Sequence, residues 1–204
     1  MVKRAFDIIV SLMVLILLSP VLVFLAIGIK SESTGPIFYR GVRSGLNGKP
    51  FRILKFRTMV PDAEKIGGPS TGLNDPRFTR IGAFLRKYKL DELPQFFNVL
   101  WGNMSIVGPR PQVEQYTRLY NDEERIILSV KPGITDYASI HFINLDQILG
   151  DHNVDDKYVR EIEPVKNRLR IKYAREQSFF VDCKILLLTI LKVLKIRSTC
   201  NIEG

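Results

Sequence analysis

The chain has 204 residues, and 30 lysines and arginines against 21 aspartates and glutamates give it a formal net charge of +9. Hydrophobic residues make up 46%, which excludes both a disordered tail and a polytopic membrane protein. The positive surplus indicates an anionic partner: nucleic acid, an anionic lipid surface or a phosphorylated substrate. The two cysteines form no CxxC motif, which favours a reducing compartment and no structural zinc.

The first feature along the chain is an apolar segment, residues 8–29, without a charged side chain. A helix of this length would cross a hydrocarbon core of ~30 Å. However, Ser19 and Pro20 lie in its middle, where proline removes a helical hydrogen bond and kinks or breaks the helix. Basic residues also flank both ends, and this positive-inside bias favours two cytoplasmic ends. These residues alone leave a re-entrant hairpin and a kinked span equally open.

The next part of the chain reads as a small β-hairpin followed by loop and helix. Residues 36–40 and 51–56 have the composition of short strands, and the turn-forming residues 45–50 lie between them. Residues 61–78 are rich in turn formers and predict a loop. Residues 81–88 predict a short helix. Asp91 is the predicted N-cap of another helix, with Pro94 tolerated in its first turn.

Helical patterns dominate the second half. Residues 102–111 predict a loop, residues 112–120 and 122–130 two helices, and residues 155–180 a long charged helix interrupted near Pro164. Pro132 and Gly133 predict a turn.

The C-terminal segment from Phe179 to Leu194 is amphipathic, but it is too short and too charged to span a membrane. It fits a helix on a membrane interface and a helix on the domain core equally well.

Cations are concentrated in two stretches free of acids. Six lie between Glu32 and Asp62, and five between Asp75 and Asp91. They are Arg40, Arg43, Lys49, Arg52, Lys55 and Arg57 in the first stretch and Arg77, Arg80, Arg86, Lys87 and Lys89 in the second. Most fit a solvated or lipid-facing basic surface. Lys55 and Arg57 are two residues apart and would share one face of a strand, so that both could meet one phosphate group.

Two further motifs suggest chemistry. The adjacent carboxylates Asp91 and Glu92 interrupt the cations at a predicted helix start. They fit ordinary helix capping, or a pair in which one carboxylate attacks phosphorus or binds Mg²⁺ while the cations neutralise phosphates. In Gly108-Pro109-Arg110-Pro111, the prolines fix the backbone around Arg110. This arrangement suits bidentate phosphate recognition, and it also fits a rigid turn with an exposed arginine.

Residues 90–100 (LDELPQFFNVL) and 102–111 (GNMSIVGPRP) resemble the bacterial sugar transferase family, the small monotopic phosphoglycosyl transferases. The resemblance covers nearly the whole chain. It extends to KRAFD, Ser19-Pro20, KFRTM, DPR and KPGIT at residues 3–7, 19–20, 55–59, 75–77 and 131–135. One departure follows Thr135: many members have Gly-Trp or Gly-Leu there, whereas this chain has Asp136-Tyr137-Ala138-Ser139. The departure bears on sugar specificity more than on reaction type.

The resemblance implies an α/β fold that is mostly helical, with a small β-hairpin and interfacial amphipathic helices. Residues 1–30 would form a re-entrant membrane helix broken at Ser19 and Pro20. Residues 31–204 would form a catalytic domain on the cytoplasmic face of the bacterial inner membrane, ending in an interfacial helix. The resemblance leaves open whether the protein forms a homodimer.

The implied reaction transfers a sugar 1-phosphate from a UDP-sugar to polyprenyl (undecaprenyl) phosphate and releases UMP. It would initiate synthesis of capsule, O-antigen or exopolysaccharide. By resemblance, Asp91 is the nucleophile that forms a phosphosugar-aspartyl intermediate, and Glu92 assists Mg²⁺ placement or proton transfer. Mg²⁺ would bridge Asp91 and the diphosphate, Arg110 would contact the nucleotide's phosphates, and Lys55 and Arg86 match basic positions near the site.

A non-enzymatic, membrane-anchored protein that binds nucleic acid or anionic lipid is the alternative. The sequence lacks the combined aromatic and basic motifs of nucleic-acid-binding modules, so no nucleic-acid partner is expected.

Overall fold

A computed structural model describes residues 2–63, 66, 71, 75–150 and 153–194. This part of the chain is mostly helical, as the sequence predicts. Its α-helices are α1 (Val2–Leu17), α2 (Ser19–Glu32), α3 (Arg80–Lys87), α4 (Gln95–Trp101), α5 (Glu114–Thr117), α6 (Tyr137–His141), α7 (Leu145–Leu149), α8 (Val154–Lys157), α9 (Glu163–Glu176) and α10 (Phe179–Val193). Its strands are β1 (Phe38–Tyr39), β2 (Val42–Ser44), β3 (Pro50–Arg52), β4 (Lys55–Phe56), β5 (Ser105–Val107) and β6 (Gly133–Thr135).

The predicted break in the apolar segment is confirmed. Helices α1 and α2 meet at a bend of 63°. Pro20 lies in the first turn of α2, where its missing N–H costs least, and the Ser19 hydroxyl donates to the Ile16 carbonyl at 2.8 Å. No helix in the described ranges is by itself long and apolar enough to cross a membrane. Among the helices described, α1 and α2 taken together are the one bent pair with the length and composition of a span.

A polar cluster, which we call the N-terminal clamp, joins α1 to the rest of the fold. It consists of Lys3, Asp7, Tyr173 and Asp182. Asp7 accepts from the Ser105 hydroxyl and the Ile106 N–H, both at 3.1 Å. Asp182 accepts from Lys3 and from the Tyr173 hydroxyl. Therefore α1 is bound to β5 and α10 through buried polar groups, in addition to its apolar contacts.

The predicted hairpin is present, but its strands are shorter and shifted. Strand β2 pairs antiparallel with β3, with Ser44 opposite Pro50, and β1 pairs antiparallel with β4, with Phe38 opposite Phe56. The intervening turn uses Asn47 and Gly48, which both have positive φ. The expected strands of residues 36–40 and 51–56 therefore divide between two adjacent pairs.

The third sheet was not expected from the sequence. Strands β5 and β6 pair in parallel, whereas their residues were predicted as a loop (102–111) and a turn (Pro132-Gly133). These predictions were wrong because flanking Gly and Pro residues hide such short buried strands. The two backbone segments approach closely beside the sheet, since a Cβ on Gly133 would lie 2.1 Å from the Gly108 nitrogen.

The helix predictions in the middle of the chain succeed only in part. Helix α3 lies where residues 81–88 predicted it. Asp91 is not an N-cap, because it lies within a 3₁₀ turn, Leu90–Glu92, and Pro94 precedes the first turn of α4. The helices predicted over 112–120 and 122–130 shorten to α5 and a 3₁₀ segment, Glu124–Ser129.

The last predictions concern a loop, a long helix and the C-terminal segment. Within the loop predicted over 61–78, residues 64–65, 67–70 and 72–74 lie outside the described part. The long charged helix is confirmed over α8, a π-helical turn (Tyr158–Ile162) and α9, with Pro164 in the first turn of α9. The Ser178 hydroxyl caps α10 separately. Ile185 and Leu188 face the core, while Phe180, Leu187 and Ile190 are exposed, so α10 has an inner and an outer apolar face.

The main core lies behind the site described next. It joins α4, β5, α6, α9 and α10 through buried residues that include Val99, Met104, Ile106, Val107, Ile140, Tyr173 and Ile185. These elements form the support on which the acidic turn and its cations rest.

Candidate active site

A cavity of about 410 Å³ is lined by the acidic pair and by three of the four cations predicted to bind phosphate. Asp91, Glu92, Lys55, Arg86 and Arg110 all line it. Its volume is within the range of about 300–1,000 Å³ that is typical of small-molecule sites. The structure therefore brings together five of the six predicted catalytic and phosphate-binding residues.

The acidic turn is positioned from both sides. Lys89 adopts a left-handed conformation (φ 57°), which reverses the chain between α3 and the turn Leu90–Glu92. On α4, the Asn98 side chain accepts from the Leu54 N–H and donates to the Arg52 carbonyl, both at 2.8 Å. Because Asn98 holds the chain just before β4, it sets Lys55 beside the acidic turn.

Glu92 is fully engaged by cations. Lys55 Nζ lies 3.1 Å from Glu92 Oε1, and Arg110 contacts both carboxylate oxygens, with Nη1 to Oε2 at 2.9 Å. Burial alone would raise the pKa of Glu92, but Arg110 and Lys55 outweigh it and hold that pKa well below its usual range. Glu92 therefore stays ionised and holds two cations in place.

Asp91 has the opposite environment. It is 5% exposed, and its carboxylate has no hydrogen bond or ion pair with any residue in the described ranges. Burial raises the pKa of Asp91; nearby Lys55 opposes this shift and the charge of Glu92 adds to it. Adjacent carboxylates thus differ in kind, since one is locked by cations and the other is open within the cavity.

Arg86 and Arg110 reach the cavity from different elements. Arg86 on α3 donates to the Thr71 hydroxyl at 2.8 Å, and its guanidinium lies 4.7 Å from the centre of the Phe78 ring. The Arg110 N–H donates to Asp136 at 3.1 Å, and the same carboxylate accepts from the Ser139 N–H at the start of α6. Asp136 thereby fixes the backbone that carries Arg110.

The expectation that Arg57 binds substrate phosphate is corrected. Its guanidinium is buried against the end of α2, where it donates to the Ser33 carbonyl at 2.8 Å and to the Thr34 carbonyl. Arg57 does not line the cavity. Strand β4 ends at Phe56, so the strand alternation that placed Arg57 beside Lys55 does not continue. Arg57 instead neutralises the negative end of the α2 dipole.

Sequence reasoning missed a second group of cavity residues, which we call the lysine compartment. It comprises Gln112, Tyr116, Phe142, Tyr158, Lys166 and Arg170. These residues lie on segments far apart in the chain, and no local motif joins them. Asp136 is the N-cap residue of α6, and the preference for Asp at helix N-caps is the local signal that could have placed it there.

The expected metal has a limited set of donors. In the described ranges, no three His, Cys, Asp or Glu residues are grouped to hold a metal ion. Glu92 is occupied by Arg110 and Lys55, which leaves Asp91 as the open carboxylate. A single carboxylate fits Mg²⁺, because this ion often takes one or two protein carboxylates and completes its shell with substrate phosphates and water.

Comparison with known proteins shows the family of this chain. A family model described as bacterial sugar transferase matches residues 1–196. A UDP-glucose:undecaprenyl-phosphate glucose-1-phosphate transferase of Escherichia coli (strain K12) is 42% identical over 197 residues, covering 94% of this chain and 40% of that protein. A protein of the same name from Klebsiella pneumoniae is 40% identical over 193 residues, covering 93% of this chain and 39% of the Klebsiella protein.

The coverage of these relatives is uneven. The chain spans about two fifths of the length of the Escherichia coli and Klebsiella proteins. It spans 87% of the uncharacterized sugar transferase EpsL of Bacillus subtilis (strain 168), with 36% identity over 192 residues and 94% of this chain covered. The similarity thus extends over nearly all of this chain.

Proposed function

The chain belongs to the bacterial sugar transferase family, and from this membership we propose that it transfers a sugar 1-phosphate from a UDP-sugar to undecaprenyl phosphate and releases UMP. The observation that carries the proposal is the open, buried carboxylate of Asp91 beside a glutamate locked by two cations. The names of the Escherichia coli and Klebsiella relatives state a reaction of this class. The product would begin the synthesis of a membrane-bound glycoconjugate such as capsule, O-antigen or exopolysaccharide.

Asp91 acts as the nucleophile in two displacements. Its carboxylate oxygen attacks the β-phosphorus, the bond from that phosphorus to the bridging oxygen breaks, and the electron pair leaves on UMP. An oxygen of the lipid phosphate then attacks the phosphosugar-aspartyl phosphorus and returns Asp91 as a free carboxylate. Since Asp91 has no partner in the described ranges, it gives up no existing contact to react.

The cations supply the electrostatics. A carboxylate approaches an anionic diphosphate only where its charge is screened, and preorganised cations provide this screening at no reorganisation cost. Lys55 and Arg110 are held by Glu92, and Arg86 is held by Thr71. Removal of the Glu92 contacts would therefore release two of the three cations.

Mg²⁺ is the expected cofactor, and Asp91 is the described residue that would hold it together with the diphosphate. When bound, the ion would neutralise phosphate charge as a Lewis acid.

We also propose that α1 and α2 form a re-entrant anchor with both ends on the cytoplasmic face of the inner membrane. Exposed apolar residues cover the outer faces of both helices, including Ile9, Met13, Ile16, Val23, Phe24 and Ile27. The exposed face of α10 would lie on the same leaflet. This arrangement would hold the cavity near the depth of lipid phosphates.

Cysteine labelling tests this topology. Val2→Cys and Thr34→Cys, each in a background without Cys183 and Cys200, place single labels at two exposed positions, the first residue of α1 and the loop after α2. We expect an impermeant reagent to reach both positions from the cytoplasmic face alone. Labelling from opposite faces would establish a kinked span instead.

The reaction is tested with purified protein, Mg²⁺, undecaprenyl phosphate and a panel of UDP-sugars. We expect UMP release that depends on both substrates with at least one sugar. The control for any acidic substitution in the cavity is Glu114→Gln, which neutralises an exposed carboxylate outside the cavity. Absence of UMP release with every UDP-sugar, from protein that is folded by circular dichroism, would contradict the proposal.

A further inference from the structure

Lys166 is a buried cation that lines the same cavity as the acidic pair. Its residue is 7% exposed. Its Nζ lies 3.5 Å from the Tyr158 hydroxyl oxygen, 4.6 Å from the centre of the Tyr158 ring and 5.6 Å from the centre of the Phe142 ring. The ammonium group therefore rests on two aromatic faces and on one long hydrogen bond.

Over the described part of the chain, no Asp or Glu oxygen forms a salt bridge with Lys166, and the nearby acids are already engaged. Glu163 accepts from Arg170 at 3.0 Å and from Gln112 at 2.9 Å. The Asp136 oxygens accept from the N–H groups of Arg110 and Ser139. Among the described residues, the lysine compartment thus holds a buried ammonium group that no carboxylate neutralises by direct contact.

Burial disfavours the charged form of Lys166 as long as no anion contacts its ammonium group. Burial and the adjacent Arg170 lower the pKa of Lys166 to about 7; Glu163 and Asp136 oppose the shift and Arg110 adds to it. A buried charge without a partner is costly, and a strongly perturbed lysine in a cavity is a candidate for ligand binding. An anion that entered the compartment would raise this pKa and bind the proton more tightly.

Arg110 lies between the lysine compartment and the acidic pair in its electrostatic effect, because its charge lowers the pKa of both Asp91 and Lys166. In an in-line displacement, the attacking and leaving oxygens lie on opposite sides of the phosphorus. The leaving oxygen therefore needs a cation other than those that surround the nucleophile. The rings of Tyr116, Phe142 and Tyr158 supply apolar and aromatic surface for a planar base attached to that phosphate.

We propose that Lys166 binds the phosphate that leaves with the nucleoside. This inference rests on the proposed function, because it assigns one part of the same donor substrate. When the bond between the β-phosphorus and the bridging oxygen breaks, the electron pair stays on that oxygen and the phosphate monoester gains one negative charge. The ammonium of Lys166 pairs with this charge, and the remaining phosphosugar stays on Asp91.

The test is calorimetric binding of UMP to the full-length protein at pH 8, in Tris and in HEPES. These buffers differ in ionisation enthalpy, so the difference in observed enthalpy reports the protons taken up. Wild type is expected to take up protons on binding UMP, because Lys166 is largely neutral before binding. Lys166→Met is expected to weaken UMP binding by at least about tenfold, with less proton uptake and unchanged binding of uridine.

Two comparisons separate this effect from misfolding. Lys166→Met replaces a buried lysine, which has no salt-bridge partner among the described residues, with an apolar side chain of similar length, so its Tm should equal or exceed that of wild type. Lys172→Met provides the matched control. Lys172 is also on α9, and its Nζ lies 5.7 Å from the centre of the Tyr137 ring, but it does not line the cavity. Lys172→Met should bind UMP like wild type.

The outcomes also separate the two proposals. Equal UMP affinity and equal proton uptake in wild type and Lys166→Met would overturn the role of Lys166, while UMP release from a UDP-sugar would still support the proposed function. No binding of UMP by wild type, together with no turnover of any UDP-sugar, would overturn both.

Discussion

In the described part of the chain, the N-terminal clamp and the acidic turn are buried carboxylate clusters with opposite arrangements. In the N-terminal clamp, Asp7 and Asp182 are each 3% exposed, and both carboxylates accept hydrogen bonds or an ion pair from Lys3, Tyr173, Ser105 or the backbone. At the acidic turn, Glu92 is similarly engaged, but Asp91 is open. Buried charge that is fully paired holds elements together, whereas buried charge left unpaired inside a cavity is available for chemistry.

The largest effect is expected for Asp91→Asn, which keeps the shape of the side chain and removes the proposed nucleophile. Activity should fall by at least about 10³-fold, measured as UMP release. Stability should not fall. The folded-state pKa of Asp91 is raised, so its ionisation opposes folding once the pH exceeds the unfolded value, and asparagine removes this penalty at neutral pH. Turnover close to wild type would refute Asp91 as nucleophile.

In the clamp, Asp7→Ala should act on stability. The change leaves the Ser105 hydroxyl and the Ile106 N–H without an acceptor and uncouples α1 from β5. We expect a loss of about 3 kcal/mol in the free energy of unfolding, measured by denaturant titration in detergent. The control is Asp122→Ala, whose exposed carboxylate lies 4.0 Å from Arg125 and should contribute less than about 1 kcal/mol. Equal effects of the two substitutions would show that the clamp does not hold α1.

A smaller effect on activity is expected for Glu92→Gln, which makes the paired acid of the active site neutral. The substitution removes two ion pairs, and Lys55, already lowered in pKa by burial, loses the neighbour that opposes this shift. We expect kcat to fall about 10- to 100-fold, because Lys55 and Arg110 lose their fixed positions. An activity as low as that of Asp91→Asn would instead assign Glu92 to the chemical step itself.

The sequence predicts local features well where chemistry and position coincide. The break at Ser19-Pro20, helix α3 and the cavity positions of Asp91, Glu92, Lys55, Arg86 and Arg110 follow from short segments. It fails where position depends on partners distant in the chain. Arg57 has the composition of a phosphate ligand, but the free carbonyls at the end of α2 bind it, and these are set by packing between α2 and β4.

The same reason explains the other misses. Strands β5 and β6 are three residues each and are separated by 25 residues. They form because Gly108 and Gly133 allow the two backbone segments to approach closely. The lysine compartment joins α9, the turn at Tyr158 and the segment at Gln112, which no periodic pattern connects. Long-range packing decides these positions, and a single sequence carries little local record of it.

The contrast between the open and the paired carboxylates is tested most directly by trapping the intermediate. Protein is incubated with the active UDP-sugar without lipid acceptor, quenched, and analysed by intact and peptide mass spectrometry. We expect one added sugar phosphate, located on the peptide that contains Asp91 and removed when undecaprenyl phosphate is supplied. An adduct that still forms in Asp91→Asn would contradict this account. So would an enzyme that turns over rapidly with lipid present but never carries the added mass when the lipid is left out.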